Sequence, residues 1–354
     1  MKRFIVVLVA LASFGVSPRA AAQSPYTYHC PLPTYPTSCP RLSWLGPMIP
    51  PVLPVGTVCC NPGGIPWGLV CVAPQKGCLP PNTANETCVS CNQGKTAQGG
   101  QPIDLASGNT YISQQDIVIP GLGGGLRLTR TWNSIFPPLQ NSYPTMFGTN
   151  WRSTYEERLI LNSSDQLMKY ARGDGSVWSF AVVNNSNPWI YGTVAPGNDT
   201  STITQGSQSF TLLSKTGEKR LFDLTSGKLL SIIDRNGNTT QLSYDAQNRL
   251  ITVTDPALRH MNFNYTGAST LVSTVTSDAG ITYSYTYDNQ GRLTTVTKPD
   301  NTTITFVYDA NSMITSVKDS QGKILESHTY DALGRGLTSS RANGVEGVTV
   351  TYPQ

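Results

Sequence analysis

From residue 222 onward, an aromatic–aspartate pair returns with near-constant spacing. The pairs are Phe222-Asp223, Tyr244-Asp245, Tyr287-Asp288, Tyr308-Asp309 and Tyr330-Asp331, at intervals of 22, 43, 21 and 22 residues. Tyr265-Thr266 is a degenerate copy that divides the interval of 43, and Tyr352 follows Tyr330 by 22. A period this regular over about six units requires stacked copies of one small structural unit. Most units carry two turn signals. One follows the pair, as in "YDAQNRL" and "YDNQGRL"; the other lies mid-unit, as in "DRNGN" and "DSQGK". Asn and Gly tolerate positive φ, so each signal between alternating residues reads as a hairpin turn. One unit is then two strands and two turns, and successive units continue a single antiparallel ribbon. The Tyr ring is expected to cover the neighbouring unit, and the Asp to accept hydrogen bonds from its own turn. On this reading Phe222, Asp223, Tyr244, Asp245, Tyr265, Tyr287, Asp288, Tyr308, Asp309, Tyr330 and Asp331 are structural residues.

The rest of the chain divides into three further parts: 1–22, 23–97 and 98–221, before the repeats at 222–354. Residues 98–221 alternate short β-like runs with glycine turns. In "LRLTRTW", Leu126, Leu128 and Trp132 fall on one face and Arg127, Thr129 and Thr131 on the other. Arg130 is the one polar residue on the apolar side. "FGTNWRSTYEERLIL" and "YARGDGSVWSF" read as strand, turn, strand. Helical periodicity is missing here, and 32 Gly, 25 Pro and 13% charged residues agree with short strands joined by turns.

The N-terminus reads as an export signal: "MKR", the apolar "FIVVLVALASFGV", then "AAA" before Gln23, with cleavage expected after Ala22. A buried N-terminal strand or helix is the competing reading. The apolar run has 13 residues, short for a membrane span, so no span is expected after cleavage. Losing Lys2, Arg3 and Arg19 leaves 22 basic against 21 acidic residues. A near-neutral chain gives no reason to expect nucleic acid as a partner.

All eight cysteines lie in residues 23–97: Cys30, Cys39, Cys59, Cys60, Cys71, Cys78, Cys88 and Cys91. The same segment holds 14 of the 25 prolines, which forbids long helices and interior strands. An even count in an exported chain reads as a small, loop-rich module tied by disulfides. The C-x-x-C spacing of Cys88 and Cys91 also fits a metal site, which the oxidising compartment disfavours. Eight cysteines allow about 105 pairings, so connectivity is not readable.

The period, the "YDNQGRLTTVT" core and the preceding "GNTTQLSYD" resemble the Rhs or YD-repeat family, which includes bacterial Rhs proteins, Tc-toxin components and teneurins. "PIDLASGNTYISQQDIVIPG", "LRLTRTWNS" and "FGTNWRSTYEERL" resemble the uncharacterised module that often precedes such repeats. The resemblance implies an all-β fold, a curved open ribbon or partial shell, preceded here by the disulfide-rich module. In the family the ribbon coils into a hollow shell that often encloses a toxic C-terminal domain. With about six units and an end at "VTVTYPQ", that role is not carried over.

No catalytic, cofactor or metal residues are expected. The histidines are His29, His260 and His328, of which the last two fall in repeat strands and read as packing or surface residues. "GLGGG" lacks the Gly-Lys-Ser/Thr of a phosphate loop and reads as a turn. "DRNGN" has its glycine in the fourth place, where a calcium loop needs the sixth. Glu156 and Glu157, adjacent on an expected strand, point to opposite faces, wrong for paired carboxylate chemistry. The expected function is that of an exported, non-enzymatic β-repeat protein. It would be secreted, on the cell surface or in the periplasm, and would contact a carbohydrate or protein ligand. The alternative is the N-terminal part of a larger Rhs-type shell or toxin, with further repeats covering an open sheet edge. A hydrolase of surface polymers is the third reading.

Overall fold

Short runs of Thr, Val, Ile, Leu and aromatic residues, closed off by Asp, Asn and Gly turns, favour a pleated backbone over a helix. The computed structural model describes residues 58–60, 70–72, 98–99, 102–105, 107–161, 167–195 and 199–352. Among these there is no α-helix, only short 3-10 turns such as Leu122–Gly124, which lies in "GLGGG" between two strands. β1 (Val58–Cys60) pairs with β2 (Val70–Val72), and β3 (Gln98–Gly99) with β4 (Ile103–Asp104). Backbone register places Cys59 opposite Cys71. Cys30, Cys39, Cys78, Cys88 and Cys91, His29 and the export signal lie outside the described residues, as do the side chains of Cys59, Cys60 and Cys71.

β5 (Tyr111–Ile119), β6 (Leu126–Asn133) and β7 (Trp151–Ser153) form a three-stranded antiparallel sheet. A second sheet runs in chain order without interruption. It begins with β8 (Arg158–Leu161), β9 (Met168–Ala171), β10 (Val177–Asn184), β11 (Ile190–Ala195), β12 (Thr202–Gln205) and β13 (Ser209–Leu213). It continues with β14 (Lys219–Asp223), β15 (Leu229–Ile233), β16 (Thr239–Tyr244), β17 (Leu250–Thr254), β18 (His260–Tyr265) and β19 (Val272–Ser277). It ends with β20 (Thr282–Tyr287), β21 (Leu293–Thr297), β22 (Thr303–Tyr308), β23 (Ile314–Lys318), β24 (Ile324–Tyr330), β25 (Gly336–Arg341) and β26 (Val345–Thr349). Every neighbouring pair is antiparallel, and the sheet passes residue 221 without a break. The onset of the Tyr–Asp signature therefore marks a change of sequence within one sheet.

The ribbon curls but is not closed into a barrel. β26 pairs with β25, and β8 with β9. β8 meets the ribbon again at one place, where the Leu159 N–H donates to Gly227 O at 2.8 Å and Arg158 bridges Lys228. A single bridge is a contact between successive parts of a spiral; closure needs a ladder.

The repeats have one local geometry. In each unit a bulge sits just before the tyrosine, at Ser243/Tyr244, Asn264/Tyr265, Thr286/Tyr287, Val307/Tyr308 and Thr329/Tyr330. The bulge aims the phenol back over the preceding unit. The hydroxyls donate to carbonyls 15 or 16 residues earlier: Tyr244 to Leu229 (2.7 Å), Tyr265 to Leu250 (2.8 Å), Tyr287 to Val272 (2.8 Å), Tyr308 to Leu293 (2.9 Å), Tyr330 to Ile314 (2.7 Å) and Tyr352 to Gly336 (2.7 Å). Each aspartate organises its own turn. Asp288 Oδ1 accepts the Gln290 and Arg292 N–H groups at 2.9 and 3.0 Å, and its Oδ2 accepts Arg292 Nε at 2.7 Å. Burial alone would raise the pKa of Asp245, Asp288 and Asp331, but hydrogen bonds from turn N–H groups and from arginine hold all three below the usual carboxylate range. The same arginine then covers the tyrosine of the next unit: Arg249 over Tyr265 (4.6 Å), Arg292 over Tyr308 (5.0 Å) and Arg335 over Tyr352 (4.2 Å).

Gly227 has φ +69° and lies so close to β8 that a Cβ would collide with Leu159 O. Gly237 has φ +88° with open space around it. Replacing Gly237 by Ala is expected to cost about 1–2 kcal/mol of backbone strain. Gly227→Ala carries the same strain plus the collision, so its urea midpoint should fall further. Equal losses would show that the contact between β8 and the ribbon contributes nothing.

Candidate functional site

The concave face of the ribbon is filled from inside by the β5–β7 sheet and the loop that follows β6. Four aromatic side chains of this inner module each meet a different strand of the ribbon edge-on. Tyr155 meets Phe263 (ring centroids 6.4 Å apart), Phe147 meets Tyr285 (4.9 Å), Trp151 meets Phe306 (5.1 Å) and Trp132 meets Tyr330 (6.2 Å). Phe263, Tyr285 and Phe306 each sit two residues before the signature tyrosine of their unit, so the period delivers one inward ring in each of three successive units. Edge-on pairs contribute about 0.5–1.5 kcal/mol each beyond the area they bury. Backbone contacts add to this. Val272 N–H donates to Met146 O at 2.9 Å, and Gly336 N–H donates to Gly108 O at 2.8 Å.

Arg130, which breaks the alternation of β6, lies at the centre of this junction and is completely buried. Its guanidinium grips Asp116 with two hydrogen bonds, the Nη2–Oδ1 distance being 2.8 Å, and Nη2 also donates to Gln114 Oε1 at 3.2 Å. Tyr285 on β20 donates its hydroxyl to Asp116 Oδ2 at 2.7 Å. The cation is flanked by the rings of Trp151 (5.0 Å), Tyr285 (5.2 Å) and Phe147 (5.6 Å). Burial works against the guanidinium's charge, and the adjacent carboxylate more than offsets it, so its pKa rises. Burial, with Asp116 beside it, pushes the Tyr285 phenol well up and keeps it a donor.

A cleft of about 370 Å³ opens where the module meets the first repeat units. One wall is the stretch from Tyr143 to Met146 with Tyr155 to Arg158. The other is Ser226 and Lys228, the turn Gln247–Arg249, and Tyr244 and Tyr265. Glu156 and Glu157 border it. They do not lie on a strand: Thr154 and Tyr155 turn the chain between β7 and β8, which corrects the strand expectation. Glu156 accepts Met146 N–H at 2.6 Å and lies 3.5 Å from Arg152, and burial raises its pKa. Glu157 accepts the Tyr170 hydroxyl at 2.6 Å and pairs with Arg220. The Arg158 guanidinium lies over the Tyr143 ring, 4.4 Å from its centroid. Lys228 donates to Asn248 O at 2.8 Å and covers Tyr244 at 5.0 Å. Burial lowers the pKa of both Arg158 and Lys228.

The remaining expected residues fall into scattered structural places. His260 Nδ1 is 2.8 Å from Asp278 Oδ2 on the surface, and His328 is buried beside Tyr330. "DRNGN" is a hairpin turn in which Asp234 accepts from Asn238 Nδ2 at 2.7 Å. Phe222 is buried against Tyr170, and Asp223 accepts the Ser226 N–H at 2.6 Å. Asp309 accepts the Asn311 and Met313 N–H groups at 2.8 and 2.9 Å, and Asp331 pairs with Arg335 at 2.6 Å. Sequence reasoning missed Asp116, Arg152, Arg158 and Lys228. Lys228 was within reach, because it precedes Arg249 by 21 residues and does the same stacking.

A curved antiparallel ribbon paced by Tyr–Asp turns, with an all-β module packed against its inner face, defines a YD-repeat shell protein. A family model described as Domain of unknown function (DUF6531) matches residues 100–180, and one described as Teneurin YD-shell matches residues 191–351. The chain belongs to the Rhs/YD-repeat family. The tRNA nuclease WapA of Bacillus subtilis (strain 168) is 29% identical over 146 residues, which cover 41% of this chain and 6% of that protein. The tRNA3(Ser)-specific nuclease WapA of Bacillus spizizenii is 28% identical over the same length and shares. The match thus spans about 6% of the length of these relatives. Among solved structures, TcdB2-TccC3 without its hypervariable C-terminal region is 11% identical with a TM-score of 0.29, over 71% of this chain and 16% of that one. The Photorhabdus luminescens Tc holotoxin pore is 13% identical with a TM-score of 0.24, over 67% and 17%.

Asp116→Ala leaves a buried guanidinium without its carboxylate and should cost about 3–5 kcal/mol. The triple change Asp116→Leu, Arg130→Met and Tyr285→Phe removes the whole polar set and should recover most of that loss. Chemical denaturation checks both. A triple variant as unstable as the single one would show that packing volume, not charge, decides this site.

Proposed function

We propose that this shell-repeat protein is exported and non-enzymatic, and that it works by contact with a carbohydrate or protein ligand at or outside the cell surface. The observation that carries the reading is the filled concave face. Trp132, Phe147, Trp151 and Tyr155 occupy the space a coiled ribbon would otherwise offer to cargo. Contact chemistry is then left to the cleft and the outer surface, where Trp189 is 36% exposed. The carboxylates bordering the cleft are held in hydrogen bonds and ion pairs, which supports a binding role over proton transfer. Export rests on the positive start, the apolar run and the small residues before Gln23. Among the described residues no helix is long and apolar enough to cross a membrane.

A second reading, a base onto which further repeat strands add, is favoured by one observation. β26 is hydrogen-bonded on one side by β25, and among the described residues no strand is paired in register with the other side of this exposed strand. Val350 N–H faces Leu337 O, so by alternation the Thr349 N–H faces outward.

Mature protein from residue 23 onward, made in an oxidising compartment, should bind saturably in a panel of glycans and intact cells, with no turnover of the polymers tested. Silence across the panel at high concentration would overturn the contact reading, and turnover would overturn the non-enzymatic one. Light scattering on the same sample addresses the second reading. Self-association lost in Thr349→Pro would support an edge that adds strands, and a monomer in both proteins would count against it.

A further inference from the structure

Most arginines around the junction are matched to carboxylates. Arg130 has Asp116, Arg152 has Glu156, Arg220 has Glu157 and Arg249 has Asp245. Arg158 has no carboxylate within ion-pair distance among the described residues, and its guanidinium donates no hydrogen bond to them. Lys228, beside it on the facing wall, likewise has no ion pair and makes its bond to a neutral carbonyl. Two half-buried cations thus face one cleft with no carboxylate in ion-pair contact; Glu156 acts on Arg158, and Asp223 and Asp245 on Lys228, only from longer range. Burial and the neighbouring Arg158 act against the charge of Lys228, burial and Arg152 act against that of Arg158, and these outweigh the more distant carboxylates Asp223, Asp245 and Glu156, so both pKa values are lowered. Such an arrangement persists at a cost that an incoming anion would relieve.

The shape narrows the anion. Arg158 lies over the Tyr143 ring at 4.4 Å and lines the cleft, and its guanidinium is a planar fork of donors of the kind that grips a carboxylate with two bonds. Beyond the cations lie the rings of Tyr244 and Tyr265 and the side-chain amides of Gln247 and Asn248. Lys228 covers one face of Tyr244 and Arg249 one face of Tyr265, so a sugar ring would meet the remaining aromatic surface, and the amides suit its hydroxyls. A volume of about 370 Å³ lies at the small end of ligand pockets.

We propose that this cleft binds an acidic saccharide of the uronate type, with Arg158 and Lys228 holding the carboxylate and the tyrosines flanking the ring. The proposal rests on the contact reading above and makes it specific. It names one cleft, one ligand class and two residues, of which Lys228 also covers a signature tyrosine as Arg249 does one unit later.

The test is calorimetric titration of the mature protein with a galacturonate oligosaccharide, with its methyl ester and with inorganic phosphate as separate probes. Binding of the acid, weakened by at least about tenfold in the ester, is the expected result. Arg158→Met should lose about the same factor, and Arg158→Lys should recover part of it, because charge remains but the fork does not. Arg158 has no ion partner among the described residues, so thermal melting of the variants should stay near that of the parent. If R158M nevertheless unfolds, K228M supplies the same comparison. Three results overturn the proposal: no binding of the acid at millimolar concentration, equal binding of acid and ester, or phosphate competing as well as the uronate. A parent protein that binds a neutral glycan or a cell surface, unaffected by R158M, would refute this proposal while leaving the contact reading intact.

Discussion

The Asp116–Arg130 pair is the interaction on which the arrangement of the chain depends. A buried ion pair gives little net stability compared with apolar packing, since two charges lose their water. What it gives is discrimination. Arg130 on β6 needs Asp116 on β5, and Asp116 takes a third bond from Tyr285 on β20. Any other seating of the module against the ribbon would take from Asp116 its bond from Tyr285 and from Arg130 the ring of Tyr285. The aromatic pairs on either side tolerate small shifts, whereas this set tolerates none. The pair therefore selects one register for a contact that spans many units of a repetitive surface.

Repetition solves a different problem. A ribbon of identical units has no single core, so each unit must be stabilised by its neighbours. The tyrosine hydroxyl reaches a carbonyl of the preceding unit, the aspartate organises the turn, and the arginine after it covers the next tyrosine. Each signature residue thereby links one unit to another. Where the signature decays, so does part of the linkage: at Tyr265-Thr266 the hydroxyl bond to Leu250 remains, but no aspartate follows to hold an arginine.

The ribbon was legible in the sequence because its rules are local. Strand, turn and tyrosine recur every 21 or 22 residues, and period, alternation and turn chemistry all agree. The module was legible as strands but not as an interior plug, because its partners lie more than a hundred residues away, as Trp151 and Tyr308 do. One trace of that partnership was visible. Arg130 on an apolar face was a local inconsistency, and such inconsistencies mark places where tertiary structure imposes its own terms. Arg158 gave no such sign, since an arginine at the start of a short strand is unremarkable until its lack of a carboxylate is seen in three dimensions. Glu156 and Glu157 misled for the same reason. Their turn is closed by Glu156 N–H on Ser153 O at 3.0 Å, and it places Tyr155 against Phe263, with no Gly, Pro, Asn or Asp to announce it.

The central claim is that module and ribbon form one cooperative body held by the buried charge set. Hydrogen exchange read by mass spectrometry on the intact protein tests it most directly. The account predicts that amides of β5–β7 and of β18–β23 share one opening free energy and lose protection together as denaturant rises. Protection that persists in the repeat strands while β5–β7 exchange separately would contradict it.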